Sequence, residues 1–376
     1  LYAGTETGVF VSFDDGARWQ PLQLNLPVTP IHDMVVKDDD LVVATHGRSF
    51  WILDDLTPLQ QIDRGVAASD VHLFQPRASF RMAGFGFPSP NVGENPPAGS
   101  VIYYYLKEKP EETVTLEFED AQGRLIQKFT SGGPAAQPMS AMARFFGGGG
   151  GARRLPAEAG MNRFVLNMRY PGAERVPGAI LWMGGTGGPT AVPGTYQVRL
   201  TVGNRTKIAA WQWKKDPRVR ATQQDFQLQL DFRIQIRDNL TEVNTSIIQI
   251  RSLKKQIGEL LAKVKGQERM EKIEEEGKRI IQKLQEIEDV LIQSKSKSGQ
   301  DPLNYPIMLD NKIAALASVV GMADARPTRQ SYQVFRELSS QADTQIGQLN
   351  LLLKRDIPDF NAMVRNADIP AVLIKK

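Results

Sequence analysis

A pattern of apolar, aromatic and acidic residues occurs twice near the start of the chain, with a spacing of about forty residues. Each copy has an apolar strand-like run, a phenylalanine and a pair of aspartates. The matched residues are 1–5 with 41–45, Phe10 with Phe50, and Asp14-Asp15 with Asp54-Asp55. A period of about 40 residues is that of one four-stranded propeller blade. We therefore predict that residues 1–62 form the C-terminal blade region of a β-propeller.

A propeller needs at least about four blades, and 62 residues are too few to close one. Residue 1 is Leu rather than Met. We therefore expect the sequence to be the C-terminal part of a longer protein. On this view, upstream propeller blades of the same polypeptide are the first partners of this region.

The first copy contains the pattern Ser-x-Asp-x-Gly-x-x-Trp, which has the form of an Asp-box. Its residues are Ser12, Asp14, Gly16 and Trp19. Glycine is free to adopt a positive φ, and aspartate side chains bond to nearby backbone amides, so the run predicts a tight turn. We expect Trp19 to pack under this turn and the four residues to be structural. Such turns lie at the blade periphery, away from the face where propellers usually bind ligands.

Residues 67–216 hold most of the prolines and glycines, with short strand-like runs between them. Runs of this kind without helical periodicity predict a β-sandwich, here of immunoglobulin-like type. Two long loops, 82–99 and 131–155, interrupt the strands, and the second carries Gly147–Gly151. The Gly-Lys-Ser/Thr of a phosphate-binding loop does not follow these glycines. Long polar, Gly-rich loops of this kind are either functional or disordered, and we favour disorder.

Residues 222–376 are predicted to form an antiparallel bundle of about four helices. Apolar residues recur there at steps of three and four, and Gly266 is a plausible break between the first two helices. From Met270 to Leu291 the alternation is strict, as in a coiled coil. This seam could join two chains or be buried within one. Because three heptads are few for an autonomous coiled coil, we favour burial within the chain.

Composition and charge exclude several classes of function. The chain has no cysteine, which excludes disulfides, thiol catalysis and cysteine-ligated metals. It has no apolar run of about 20 residues, so we expect no membrane span. The net charge is −6 over residues 1–66, +8 over 67–221 and +2 over 222–376. Because the basic residues of the middle part are scattered, we expect no nucleic-acid partner.

The sequence offers no catalytic constellation and no cofactor or metal site. The three histidines lack ligand spacing, and no Gly-x-Ser-x-Gly elbow occurs. The best polar cluster is His46 and Arg48 with Asp54 and Asp55, although a turn histidine bonded to backbone is the simpler explanation of His46. The run 38–40 of three aspartates lacks EF-hand spacing and predicts a solvated turn.

The order of these parts resembles the large bacterial secreted proteins described as sortilin-like or BNR (Asp-box) repeat "glycosyl hydrolases". The residues that carry the resemblance are the Asp-box, ATHGRSFWILDD at 44–55, IRDNL at 236–240 and LNYPI at 303–307. The runs GMNRFVLNMRYP at 160–171 and VPGTYQVRL at 192–200 also look like the immunoglobulin-like domain of flagellar hook-capping proteins. The box departs from the common pattern at Arg18, where threonine is usual. The resemblance implies an extracytoplasmic (periplasmic or secreted) location.

Two classes of function remain open at this point. In the first, this is a non-catalytic C-terminal region that binds a glycan or protein ligand or gives structural support. In the second, the whole protein is a glycoside hydrolase whose catalytic carboxylates lie in the upstream propeller. A pair of carboxylates is what glycoside hydrolysis requires, and this segment offers no convincing pair. We therefore favour the first class.

Overall fold

The computed structural model describes residues 1–82, 93, 95–132, 154–265 and 270–367. The predicted break at Gly266, the run Gly147–Gly151 and much of the two predicted loops lie outside these residues. Mixed β-sheets come first and helices follow, so the coarse prediction of a β-then-α chain is confirmed.

The chain divides into two compact units, which are not continuous in sequence. The first takes the described residues up to 132, together with 154–169 and 192–219. The second takes 170–191 and the described residues from 220 onward. The finer assignment to a propeller region at 1–62, an immunoglobulin-like sandwich at 67–216 and a bundle at 222–376 stays a prediction.

The strands of the first unit are short, and two brief helices separate the early strands from the later ones. The strands are β1 (Tyr2–Thr5), β2 (Gly8–Val11), β3 (Gln20–Pro21), β4 (Ile31–Lys37), β5 (Asp40–Thr45), β6 (Phe50–Leu53), β7 (Val71–Leu73), β8 (Ser79–Arg81), β9 (Ser100–Leu106), β10 (Thr115–Asp120), β11 (Leu125–Thr130), β12 (Gly160–Leu166), β13 (Gly194–Val202) and β14 (Arg205–Lys215). The helices are α1 (Thr57–Gln61) and α2 (Arg64–Ala68).

The first two sheets, β1-β2-β3 and β4-β5-β6, share one small apolar core. Val9 of the first sheet and Leu41 and Val43 of the second are almost fully buried in it. Strand β1 approaches β4 closely at Gly4, where a Cβ atom would lie 2.7 Å from Cγ2 of Ile31. Glycine at this position therefore allows the two sheets to meet.

The other two sheets pack against each other through aromatic side chains. Their strand orders are β11-β10-β13-β14-β8 and β12-β9-β7. The rings of Phe129 and Phe164 lie 4.9 Å apart between the sheets, and Trp211 Nε1 donates a buried hydrogen bond of 2.8 Å to Ser100 Oγ. The alternation of buried and partly exposed residues along β9 and β13 places one face of each strand in this core.

The helices of the second unit pack around the long first helix. They are α3 (Gln223–Val264), α4 (Glu271–Leu291), α5 (Leu309–Val320), α6 (Arg329–Leu351) and α7 (Ile357–Asn366), with a π-helical turn at Leu352–Asp356. Helix α3 contacts α4, α5 and α6. It begins at a capping box, in which the side chains of Thr222 and Asp225 satisfy each other's backbone amides. No helix in the described ranges has a stretch long and apolar enough to cross a membrane.

The coiled-coil seam on α4 is buried within the chain, as predicted. Ile280 and Leu284 at its centre are fully buried in the core of the helical unit, and Leu291 at its end is buried as well. Gly277 lies on the same seam, and a Cβ atom there would lie 2.8 Å from Cδ2 of Leu261. The seam glycine therefore allows α4 to pack closely on α3.

An irregular segment, residues 170–182, runs across helices α3 and α5 as a strap. Val176 of the strap is buried in the core of the helical unit. The strap's backbone is held by helix side chains: Asn244 Nδ2 donates to the carbonyl of Glu174 at 2.6 Å. Asn311 accepts from the Trp182 amide at 2.7 Å and donates to the Trp182 carbonyl at 2.6 Å. Two asparagines that interrupt apolar helix faces therefore serve to satisfy irregular backbone.

We expect Asn311→Ala to lower the free energy of unfolding by about 2 kcal/mol, because it removes the two hydrogen bonds between the Asn311 side chain and the Trp182 backbone. Urea unfolding followed by circular dichroism at helix wavelengths measures the change. The control is Asn304→Ala, since Asn304 is exposed and its loss should cost less than about 0.5 kcal/mol. Equal effects of the two variants would contradict this account of the strap.

Candidate functional site

The predicted Asp-box turn is closed by its own side chains. Ser12 is buried, and its hydroxyl donates to Asp14 Oδ1 at 2.9 Å and accepts from the Gly16 amide at 2.8 Å. Asp14 Oδ1 also accepts from the Arg18 amide at 2.8 Å, and these bonds lower the pKa of Asp14. The indole of Trp19 lies against Gly16, with 42% of the residue exposed. The side chains of Ser12 and Asp14 thus bond within the turn, and the structural role of the motif stays a prediction.

The polar cluster predicted from the sequence is divided between the two ends of one hairpin. Antiparallel pairing sets Leu41 opposite Leu53 and Ala44 opposite Phe50. His46 and Arg48 lie in the turn beyond the second pair, whereas Asp54 and Asp55 lie beyond the first. The whole length of β6 therefore separates the basic members of the cluster from the acidic ones.

His46 and Arg48 are exposed, and their backbone groups are used in the turn. The His46 amide donates to the carbonyl of Pro30 at 2.9 Å, and its carbonyl accepts from Thr29 Oγ1 at 3.0 Å. The imidazole of His46 lies 4.9 Å from that of His32, ring centre to ring centre. The Arg48 carbonyl accepts from Trp51 Nε1 at 2.9 Å. These contacts fit the simpler explanation, in which His46 belongs to a turn.

The two acidic residues instead join a different cluster, centred on Arg77. Arg77 Nη1 donates to Asp40 Oδ1 at 2.6 Å, and its Nε lies 3.9 Å from Asp55 Oδ2. The Asp55 amide also donates to Asp40 Oδ1, at 2.8 Å. The Asp55 carboxylate is almost fully buried and accepts from the hydroxyl of Thr57 at 2.6 Å. Arg77 therefore ties the hairpin β5–β6 to the segment that leads into β8.

Sequence reasoning missed Arg77 because it lies 37 residues from Asp40 and belongs to no motif. The pairing of β5 with β6 brings Asp40 close to Asp55, and the backbone geometry of the neighbouring aspartates is readable from the sequence only in part. Asp38 and Asp39 both have positive φ, as a two-residue hairpin turn requires, and Asp55 has positive φ as well. Asp55 thus combines a left-handed backbone conformation with a charge that lies beside Arg77.

The electrostatics around Asp54 make it the most unusual carboxyl in this cluster. Burial, together with the nearby Asp40 charge, raises the pKa of Asp54, against the opposing effect of Arg77 and Arg163. Burial likewise raises the pKa of Tyr103, although a hydrogen bond from Arg163 lowers it in part. Asp54 could therefore hold a proton more readily than an exposed aspartate. A general acid of this kind needs a partner carboxylate that is free to act, and Asp55 is engaged by Thr57 and Arg77.

Within the described ranges, no three or more His, Asp or Glu side chains are arranged to hold a metal ion. The Arg77 cluster pairs carboxylates with a guanidinium, and a divalent cation would compete with that guanidinium. The chemistry that the cluster can perform is thus ion pairing and hydrogen bonding. Its geometry is that of a structural cluster, which joins the β5–β6 hairpin to the segment before β8.

A second unusual carboxyl, Asp310, is buried at the start of α5. Burial raises the pKa of Asp310 to about 7, opposed by a hydrogen bond from the Asn311 amide and by the charge of Arg251. Its neighbour Asn311 holds the strap. Asp310 lines neither of the two clefts found in the helical unit. Its position is therefore that of a buried titratable group in the core.

No family model, curated protein or solved structure matches the chain in the comparisons made.

We expect Arg77→Gln to destabilise the first unit by about 2–4 kcal/mol, because the buried Asp55 carboxylate loses its cation. Hydrogen exchange of the β5 and β6 amides, read against urea concentration, measures the loss. Arg48→Gln is the matched control at the other end of the hairpin and should change stability by less than about 0.5 kcal/mol. A larger effect of Arg48→Gln would place the important charge in the predicted His46–Arg48 cluster instead.

Asp310→Asn should stabilise the helical unit in a pH-dependent way. Because the pKa of Asp310 is raised, its favourable contribution is complete below about pH 4 and is lost as the pH rises through about 7. Asparagine stays neutral, so the variant should gain about 2–4 kcal/mol over the natural chain at about pH 8.5 and little at about pH 4. Urea unfolding at both pH values measures this, with the exposed Asp343→Asn as control. A gain that does not vary with pH would contradict the assignment.

Proposed function

We propose that this chain is the non-catalytic C-terminal region of an extracytoplasmic Asp-box propeller protein, and that it gives structural support or binds a glycan or protein partner. The observation that carries the proposal is an open apolar face on the sheet β4-β5-β6. Strand pairing puts Val35 opposite Val42, and Val42 opposite Ile52, on one side of that sheet. Val35 is 54%, Ile52 58% and Phe50 75% exposed.

The occupant that fits this face is a further β-sheet of the same polypeptide. The opposite face of the same sheet is already covered by the sheet β1-β2-β3 across a shared apolar core. Sheets with two apolar faces are covered on both sides, at a spacing of about 10 Å. A contiguous exposed apolar patch of this kind marks an interaction surface.

The strand order of the two sheets supports the same occupant. By the repeat, β1 corresponds to β5 and β2 to β6. When the two sheets are aligned by these matches, β3 follows the matched pair in the first sheet, whereas β4 precedes the matched pair in the second sheet. To reach four strands, the first sheet needs a strand beside β1 and the second needs one beside β6. A propeller that continues upstream of residue 1 would supply such strands.

The non-catalytic part of the proposal rests on how the carboxylates are engaged. Asp14 is used by its turn, and Asp55 is bonded to Thr57 and paired with Arg77. The second candidate function, a glycoside hydrolase, therefore places its catalytic pair in upstream blades. Asp54 is the carboxyl of this segment that could contradict this placement, because its pKa is raised.

Substitution of Phe50 by Ser distinguishes a covered face from an open one. In the native full-length protein, we expect Phe50→Ser to cost about 2–4 kcal/mol of unfolding free energy, because a covered aromatic side chain is lost. In the 376-residue chain by itself, the same variant should change stability by less than about 1 kcal/mol. Val28→Ser, at another exposed apolar residue, is the control in both. An unchanged full-length protein would show that no blade covers this face.

A glycan-hydrolysis screen on the full-length protein separates the two functions. If the protein cleaves a glycan, Asp54→Asn should leave the rate within about twofold, because the catalytic pair lies upstream. A loss of about a thousandfold with the fold retained would make Asp54 catalytic and overturn the non-catalytic role of this segment. An inert protein that retains a glycan or protein partner in pull-down supports binding.

A further inference from the structure

A cleft of about 390 Å³ lies in the helical unit between the strap and the segment that follows α4. Its volume falls within the range of small-molecule sites, about 300–1,000 Å³. The strap contributes Ile180, and the segment after α4 contributes Ile292, Ser294, Ser296 and Lys297. Arg251 of α3 also lines the cleft.

The charged lining of the cleft is entirely cationic. Arg251 and Lys297 are its charged residues, and among the described residues that line it there is no aspartate or glutamate. Two acidic groups lie beside the cleft: Glu288, which is almost fully buried and paired with two cations, and Asp301, whose Oδ2 accepts from the Lys297 amide at 2.5 Å. Arg251 Nε lies 2.7 Å from Glu288 Oε1, and Lys254 Nζ lies 2.8 Å from Oε2. Burial acts to raise the pKa of Glu288, but these two cations lower it overall. Arg251 and Lys254 thus share the Glu288 carboxylate, whereas the Lys297 ammonium forms no ion pair with the described residues.

Several hydrogen-bond donors of the cleft are unused within the described part of the chain. Arg251 uses Nε for Glu288 and Nη1 for the Pro177 carbonyl, at 3.4 Å, which leaves Nη2. The Lys297 ammonium and the hydroxyls of Ser294 and Ser296 bond to none of the described residues, since the bond of Lys297 is made by its backbone amide. Glu288 fixes the position of the Arg251 guanidinium, so its free edge is preorganised.

We propose that this cleft binds a small organic oxyanion, a phosphate monoester or a carboxylate, carried on a compact apolar body. Arg251 and Lys297 supply charge-assisted hydrogen bonds, which are about twice as strong as neutral ones. The serine hydroxyls complete the coordination of the oxygens. Ile180 and Ile292 supply an apolar wall for the rest of the ligand. This proposal is independent of the role proposed for the sheets.

The first test titrates the whole 376-residue chain with phenyl phosphate and with benzoate by calorimetry, with benzylamine as the cationic counterpart. We expect one saturable site per chain for at least one of the two anions, tighter than about 1 mM, and weakening as salt is added. The anion that binds better identifies the head group. Equal or tighter binding of benzylamine, or no saturable anion binding below about 10 mM, overturns the proposal.

The second test maps the site with two variants outside the buried core, at Lys297 and Ser296, and with one variant of Arg251, which also removes a partner of the buried Glu288. Lys297→Ala should weaken binding at least fivefold or so, and the double variant Lys297→Ala with Ser296→Ala at least tenfold or so. Lys295→Ala is the matched control, because Lys295 is exposed and lies outside the cleft lining; it should stay within about twofold. Arg251→Gln should abolish binding, and its circular dichroism and urea unfolding must match those of a folded chain for that result to count. Unchanged binding in the double variant overturns the proposal.

Discussion

Most buried polar groups in proteins are hydrogen-bonded, and in both units such bonds decide how irregular segments are joined to regular ones. In the first unit, the Asp55 carboxylate is almost fully buried, and Thr57 and Arg77 supply its partners. In the second unit, the strap runs across helices that cannot offer it backbone bonds, and asparagine side chains supply them. In each case, one or two polar side chains determine where a segment without regular structure can lie.

Paired polar groups also stabilise the junction between α6 and α7 in the helical unit. The π-helical turn at Leu352–Asp356 precedes Pro358, which has no N–H to continue an α-helical ladder. Asp356 in this turn is buried, and its carboxylate is bonded by Lys283 Nζ at 2.8 Å and by Arg355 Nε at 2.8 Å. These bonds hold the pKa of Asp356 below its usual value. The ion pair between Asp356 and Lys283 of α4 thus stabilises the π-helical turn.

The elements that the sequence predicted well are those whose signal is local and periodic. The seam of α4 repeats every three and four residues, and burial follows from that pattern because one face of a helix meets its neighbour. The signal of the Ser12 turn is also local, since its side-chain bonds join residues no more than four positions apart. In both cases the residues that stabilise the element are the residues that define its pattern.

The contacts that were not predictable join residues with no shared pattern. Arg77 and Asp40 are separated by 37 residues, and Trp182 and Asn311 by 129. The strap falls in the Gly- and Pro-rich part of the chain, whose composition points to the β-domain, yet it packs with the helices. His46 and Asp54 are close in sequence, but an antiparallel hairpin carries them to opposite ends. Residues that are close in sequence are close in space only where no extended strand lies between them.

The two surfaces for which we propose occupants differ in the kind of occupant that each can hold. The face formed by Val35, Phe50 and Ile52 is apolar, and its burial gains about 25 cal/mol for each Å² removed from water, without directional bonds. Such a surface suits the further sheet of the same polypeptide that we propose for it. The cleft at Arg251 and Lys297 instead offers donors whose water can be exchanged for the oxygens of an anion. A surface of that kind suits a ligand that binds reversibly, so the two proposed roles fall in different units of one chain.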